Sequence, residues 1–208
     1  MDLFTLTNVT YKDILTYPDI AINQGNTTFL AGPSGVGKST LLKLLNGVFA
    51  PTTGCVTYNG VDITTIDSIE LRRRVLLVGQ SPVLFEEESI KTNFATFFNY
   101  RELTPPNDAE INEYLTICSI EMPLDKEVYH LSGGEKQRVF IAIHLALGFD
   151  VLMLDEPTSA LDYKNSHALL SNIKSLCASK GKSLIIISHD QEMVTTYADD
   201  VVNLGGDE

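Results

Sequence analysis

Basic residues are scarce in this chain: 15 Lys and Arg stand against 27 Asp and Glu, for a net charge of -12. A protein that grips nucleic acid needs a phosphate-neutralising face of Lys and Arg, so no nucleic acid is expected among its partners. Cysteine is sparse as well. Cys55, Cys118 and Cys177 lie far apart with no CxxC pair, which excludes a disulfide frame and reads as reduced thiols. Long apolar runs are absent. The cleanest, Val151–Leu154 and Leu184–Ile187, are strand-length and far short of the roughly twenty residues that span a bilayer. No basic stretch followed by an apolar one opens the chain, and no Pro/Gly/Ser linker or internal repeat divides it. One soluble domain over residues 1–208 is expected, reaching a membrane only by docking onto another polypeptide.

Short apolar runs alternate with helical patterns, the mark of an α/β core around a buried, largely parallel sheet. Thr27–Ala31 reads as a strand entering a glycine loop, and a helix is expected from Lys38 to about Asn46 with Leu41, Leu42, Leu44 and Leu45 turned inward. Tyr58-Asn59-Gly60 signals a turn between short strands. Further strands are expected at Val75–Val78, Val151–Leu154 and Leu184–Ser188, and helices after Ser132 and over Tyr163–Lys180. Residues 81–131 differ. They lack Val/Ile strand runs, carry the Pro105-Pro106 break, and show helical periodicity around Ser89–Phe98 and Asp108–Cys118. The reading is a small helical subdomain at about 81–131 inserted into a core of about 1–80 and 132–208.

Gly32-Pro33-Ser34-Gly35-Val36-Gly37-Lys38-Ser39-Thr40 fits G-x-x-x-x-G-K-[ST]. The glycines let backbone N–H groups converge on phosphate oxygens, and the helix from Lys38 offers its positive end. Lys38 is expected to reach the β and γ phosphates, the Ser39 hydroxyl to ligate Mg²⁺, and Thr40 to bond an α-phosphate oxygen. Val151–Leu154 then runs into Asp155 and Glu156. A strand ending in carboxylates delivers Asp155 to a hydrated magnesium and leaves Glu156 to polarise the attacking water. Pro157 closes the strand. Leu131-Ser132-Gly133-Gly134-Glu135-Lys136-Gln137-Arg138 places two glycines after a serine at a helix start, a second anion nest. One triphosphate needs only one such nest.

With that segment the sequence resembles the ATP-binding cassette (ABC) ATPases, whose signature LSGGQ is LSGGE here. The resemblance implies a P-loop NTPase (RecA-like) core, N-terminal antiparallel β elements and an inserted helical subdomain. It implies ATP and Mg²⁺ as ligands. It also implies a head-to-tail pair in which Ser132, Gly133, Gly134 and Glu135 of one copy close over the ATP of the other. Gln80 is similar to the Q-loop glutamine that contacts magnesium and senses a transmembrane partner, and Ser159-Ala160-Leu161-Asp162 to the D-loop that crosses the interface. His189 corresponds to the switch histidine at the γ-phosphate. Tyr11 corresponds to the aromatic that stacks on adenine, with Tyr17 as the competing position. His130, His144 and His167 are read as structural.

Two departures stand out: Glu135 in place of glutamine, and Ile143 where the family has an arginine. Gln80-Ser-Pro-Val-Leu-Phe85 with Ser89–Asn93 resembles exporter versions of this region, and the whole resembles small bacterial subunits assigned to metal (iron) export. The function implied is an ATP-hydrolysing subunit on the cytoplasmic face of a membrane, coupled to a multi-span permease. Its coupling helix would sit near Gln80–Phe98, with Phe85, Phe94, Phe97 and Phe98 as candidate lining. The main rival is a soluble cassette ATPase such as that of iron–sulfur cluster assembly. A GTPase or kinase on the same loop leaves LSGGE without a role.

Overall fold

In the computed structural model, which describes residues 1–205, strand runs with a buried face form two sheets. The first is antiparallel and built from β1 (Asp2–Tyr11), β2 (Leu15–Thr16), β3 (Ile20–Asn23), β5 (Thr53–Tyr58) and β6 (Val61–Asp62). Between β3 and β5 lie β4 (Thr27–Ala31) and α1 (Lys38–Leu45). The turn after β5 puts Asn59 and Gly60 at φ 51° and 78°, the left-handed pair that a two-residue hairpin requires. After β6 come α2 (Ser68–Arg74), β7 (Val75–Val78), α3 (Ile90–Tyr100), α4 (Asp108–Ile117) and α5 (Gly133–Ala146). β8 (Val151–Asp155), α6 (Tyr163–Ser179), β9 (Ser183–Ile187), α7 (Gln191–Tyr197) and β10 (Asp200–Asn203) complete the described chain.

The second sheet runs β10-β4-β9-β8-β7, and its β10/β4, β4/β9 and β8/β9 pairs are parallel. Every residue of β8 and β9 is buried, as expected for strands covered on both faces. Leu41, Leu42, Leu44 and Leu45 of α1 are fully buried, in one core with Leu30, Met153, Ile185 and Ile187.

The chain divides into two compact units. One comprises residues 1–77, 149–156 and 176–208, of which 206–208 lie outside the described residues, and holds both sheets. The other comprises 78–148 and 157–175. Beside the expected helical subdomain of about 81–131, this second unit also takes in α5 and most of α6. Within this unit α5 packs on α4, and Asn172 of α6 donates to the Ile117 carbonyl at 3.0 Å. A helix whose buried face matches another helix stays with it, whatever sheet strand follows in sequence.

Candidate functional site

The parallel register assembles the site. Leu30 of β4 pairs with Ile187 of β9, and Ile187 pairs with Asp155 of β8. These three residues form one row at the C-terminal ends of adjacent strands, where open α/β sheets carry their ligands. Two residues beyond Leu30 the phosphate loop begins at Gly32; two beyond Ile187 stands His189; one beyond Asp155 stands Glu156. Three motifs spread over more than 150 positions thus leave the same sheet edge side by side.

Close packing dictates the glycines of the loop. Gly32 has φ 141°, and a Cβ there would lie 2.1 Å from the Leu204 carbonyl oxygen. Gly37 has φ 97°, and a Cβ would meet the Tyr17 hydroxyl at 2.7 Å. Lys38, only 6% exposed, donates to the Gly32 and Pro33 carbonyls at 2.8 and 2.9 Å, so its ammonium lies over the loop. The helix that follows has no side-chain cap and no acid in its first turn. By contrast Asp67, Ser89, Asn107, Ser132 and Asp190 cap α2, α3, α4, α5 and α7. The first N–H groups of α1 are thus left for an anion, which a backbone nest at a helix start favours.

Asp155 ends β8 and is 7% exposed. Glu156 follows at φ 51°, a left-handed conformation that costs a side-chain-bearing residue about 1–3 kcal/mol. It is held by its N–H to the Ile187 carbonyl at 3.0 Å and by its carboxylate, whose Oε1 lies 3.0 Å from His189 Nε2. The turn directs Glu156 away from the strand's alternation and onto the histidine of the neighbouring strand. An open cleft of about 420 Å³, lined by Ala31, Gly32, Pro33, Ser188 and His189 among others, borders the loop.

The two candidate tyrosines differ sharply. Tyr17 is 3% exposed, donates its hydroxyl to the Gly37 carbonyl at 2.9 Å, and has its phenol pushed up to about 12 by burial and, less, by Tyr11. It braces the loop, a role that sequence reading missed because spacing says nothing of burial. Tyr11 is half-buried and stacks on Phe49 with centroids 5.0 Å apart and planes at 18°.

The signature segment belongs to the other unit and is described by itself. Ser132 caps α5 in a reciprocal box: its N–H and hydroxyl donate to the Glu135 carboxylate at 2.8 and 2.7 Å, and its oxygen accepts from the Glu135 N–H at 3.3 Å. Bonding to Ser132 holds the Glu135 carboxyl below its ordinary range. The second nest is therefore partly filled by the chain's own carboxylate, a use of Glu135 that the sequence reading did not anticipate. Gly134 packs against the D-loop, where a Cβ would come within 3.0 Å of the Ala160 carbonyl. Asp162 caps the start of α6 through the Asn165 N–H at 2.9 Å. Gln80 lies on an exposed loop.

The chain is similar to known proteins over nearly its whole length. A family model described as "ABC transporter" matches residues 15–159. The petrobactin import ATP-binding protein of Bacillus subtilis (strain 168) is 33% identical over 196 residues, covering 93% of this chain and 78% of that relative. The structure of cbiO1 from Clostridium perfringens, part of the ABC transporter complex cbiONQ, superposes with TM-score 0.83 at 29% identity, over 98% of this chain and 84% of that one. A dimeric ATP-binding cassette in a post-hydrolysis state, bound to ADP and Pi, superposes with TM-score 0.81 at 25% identity, over 97% and 94% of the two chains. The chain belongs to the ABC transporter family, as one of its ATP-binding, ATP-hydrolysing subunits.

Proposed function

We propose that this subunit hydrolyses ATP between two copies of itself and drives a multi-span permease from the cytoplasmic face of a membrane. The row of Leu30, Ile187 and Asp155 carries the reading, because it sets the phosphate loop, Asp155, Glu156 and His189 along one sheet edge. Gly32–Thr40 wraps the phosphates, with Lys38 leaving its loop carbonyls for the β and γ oxygens. Tyr11 takes adenine onto its stack with Phe49. Glu156 accepts a proton from the attacking water, and His189 holds both Glu156 and the γ-phosphate, which orients base and electrophile together.

The donor set suits Mg²⁺. Ser39 and the buried Asp155, both in the unit that holds the sheets, offer hard oxygens. Mg²⁺ takes few protein ligands, so Ser39 and Asp155 would hold it, and bound there it would neutralise charge building on the phosphates. Ser132, Gly133, Gly134 and Glu135 of a second copy, with Asp162 beside its interface, complete the site.

No helix among the described residues is long and apolar enough to cross a membrane, and in this reading the multi-span partner provides the passage. The relatives are transporter subunits, which favours this reading over a soluble cluster-assembly ATPase; cargo and direction follow from the permease. The test uses Glu156→Gln. It should bind ATP, form a stable dimer on size-exclusion chromatography, and lose turnover by about 100-fold to 10,000-fold. Near-normal hydrolysis would remove Glu156 as the base. Purification of the native protein from membranes should recover a multi-span polypeptide.

A further inference from the structure

The loop that carries Gln80 is fastened at both ends by buried amides. At its start, Gln137 of α5, 5% exposed, donates from Nε2 to the Gly79 carbonyl at 3.1 Å. At its end, Asn93 of α3, fully buried, accepts from the Phe85 N–H at 2.8 Å and donates to the Phe85 and Ser89 carbonyls at 3.0 Å each. Between the clamps, Gln80, Ser81, Val83 and Leu84 make no hydrogen bond among the described residues, and Val83 is 72% exposed. Only the ends are fixed, and the span is left to move.

Gln137 is a costly choice for a buried helix position. Its partner is a carbonyl, so the Nε2 end must face it, and Oε1 is left buried with no partner among the described residues. A methionine of the same length fills the space with no unsatisfied oxygen. The amide gains one thing, a grip on the residue before Gln80. It also sits on the signature helix, one turn beyond Gly133 and Gly134.

We propose that Gln137 is a positioning residue that fastens the Gln80 loop to the signature helix, so that the place of Gln80 and the place of Ser132-Gly133-Gly134 are set together. This rests on the reading of Gln80 as a site residue. Through this contact, a push on the exposed Val83 span is felt at the helix that closes over a second copy's ATP. An event at the signature is felt at Gln80 in return.

The test is a double-mutant cycle on the full chain with Gln80→Ala and Gln137→Met, read as ATP turnover at saturating Mg²⁺ and ATP. Each single change should lower turnover about tenfold to a hundredfold, and the double variant should be no slower than Gln80→Ala alone. The melting temperature of Gln137→Met should stay at the parent's value. Multiplicative losses, or a loss that tracks a fall in melting temperature, would overturn the proposal in favour of a packing role. Backbone ¹⁵N relaxation supplies the independent arm. Gln137→Met should lower the order parameters of residues 79–81, 83 and 84 while leaving residues 27–31 unchanged, and unaltered order parameters at those positions overturn the fastening outright. If Gln80→Ala leaves turnover intact, the reading of Gln80 falls, and the relaxation result alone decides Gln137.

Discussion

The two glycine nests of this chain are built in opposite ways. In the phosphate loop, Gly32, Gly35 and Gly37 all have positive φ, and α1 starts without a cap. In the signature, Gly133 and Gly134 are absent from the positive-φ set, and Ser132 and Glu135 cap each other. The first nest is strained into shape by its packing and leaves its donors open. The second is an ordinary, well-capped helix start with a carboxylate already seated on it. A phosphate arriving at the first meets waiting N–H groups. At the second it would have to compete with the Glu135 carboxylate for Ser132.

The sharpest way to break this contrast is one extra methyl in each nest. Gly32→Ala places a Cβ against the Leu204 carbonyl at a φ that side chains rarely adopt. It should cost at least about 3 kcal/mol and lower the melting temperature by roughly 6–12 °C, with ATP binding lost. Gly133→Ala meets nothing within 4 Å. Its melting temperature should hold, and only ATP-driven dimerisation should suffer. Equal losses of stability in the two variants would erase the distinction.

A smaller effect should separate the units by pH. His144 is buried in the helical unit against Phe140 and Phe97, with burial pulling it down to about 4 from an ordinary 6.5. Its folded form holds the ring neutral while the unfolded chain takes up a proton. This leaves stability untouched above about pH 6.5 and removes it as pH falls toward 4. Between pH 7 and 5 the loss should be on the order of 2 kcal/mol. His144→Leu should flatten that part of a denaturant-midpoint-versus-pH curve; an unchanged slope would assign the sensitivity elsewhere. The smallest effect belongs to the cap. Ser132→Ala removes one side of the Glu135 box and should cost about 1 kcal/mol in urea unfolding, with monomer ATP affinity retained.

Much of the fold was legible because its signals are local. Thr27–Ala31 and Val75–Val78 are strands with the expected bounds. Ser89 and Ser132 sit where a helix needs an N-cap, and the Asn59-Gly60 turn follows from residues that tolerate φ > 0. The short α2 and α7 were not anticipated, since seven residues give too little periodicity; their starts were written only in the capping Asp67 and Asp190. No composition shift in the sequence marks that α5 packs on α4.

The sequence by itself determined the phosphate loop, the carboxylate pair after an apolar strand, and the signature, because each is a contiguous run whose chemistry depends on neighbours in the chain. Only the tertiary structure decided which tyrosine is sealed beneath Gly37, that His189 meets Glu156, that Glu135 engages Ser132, and that Gln137 grips Gly79. The Ser132–Glu135 pair lies three residues apart, yet the serine's hydroxyl could have faced solvent or a ligand instead. The other contacts join residues 20 to 58 apart in the chain, where strand register and helix packing, not spacing, choose the partner.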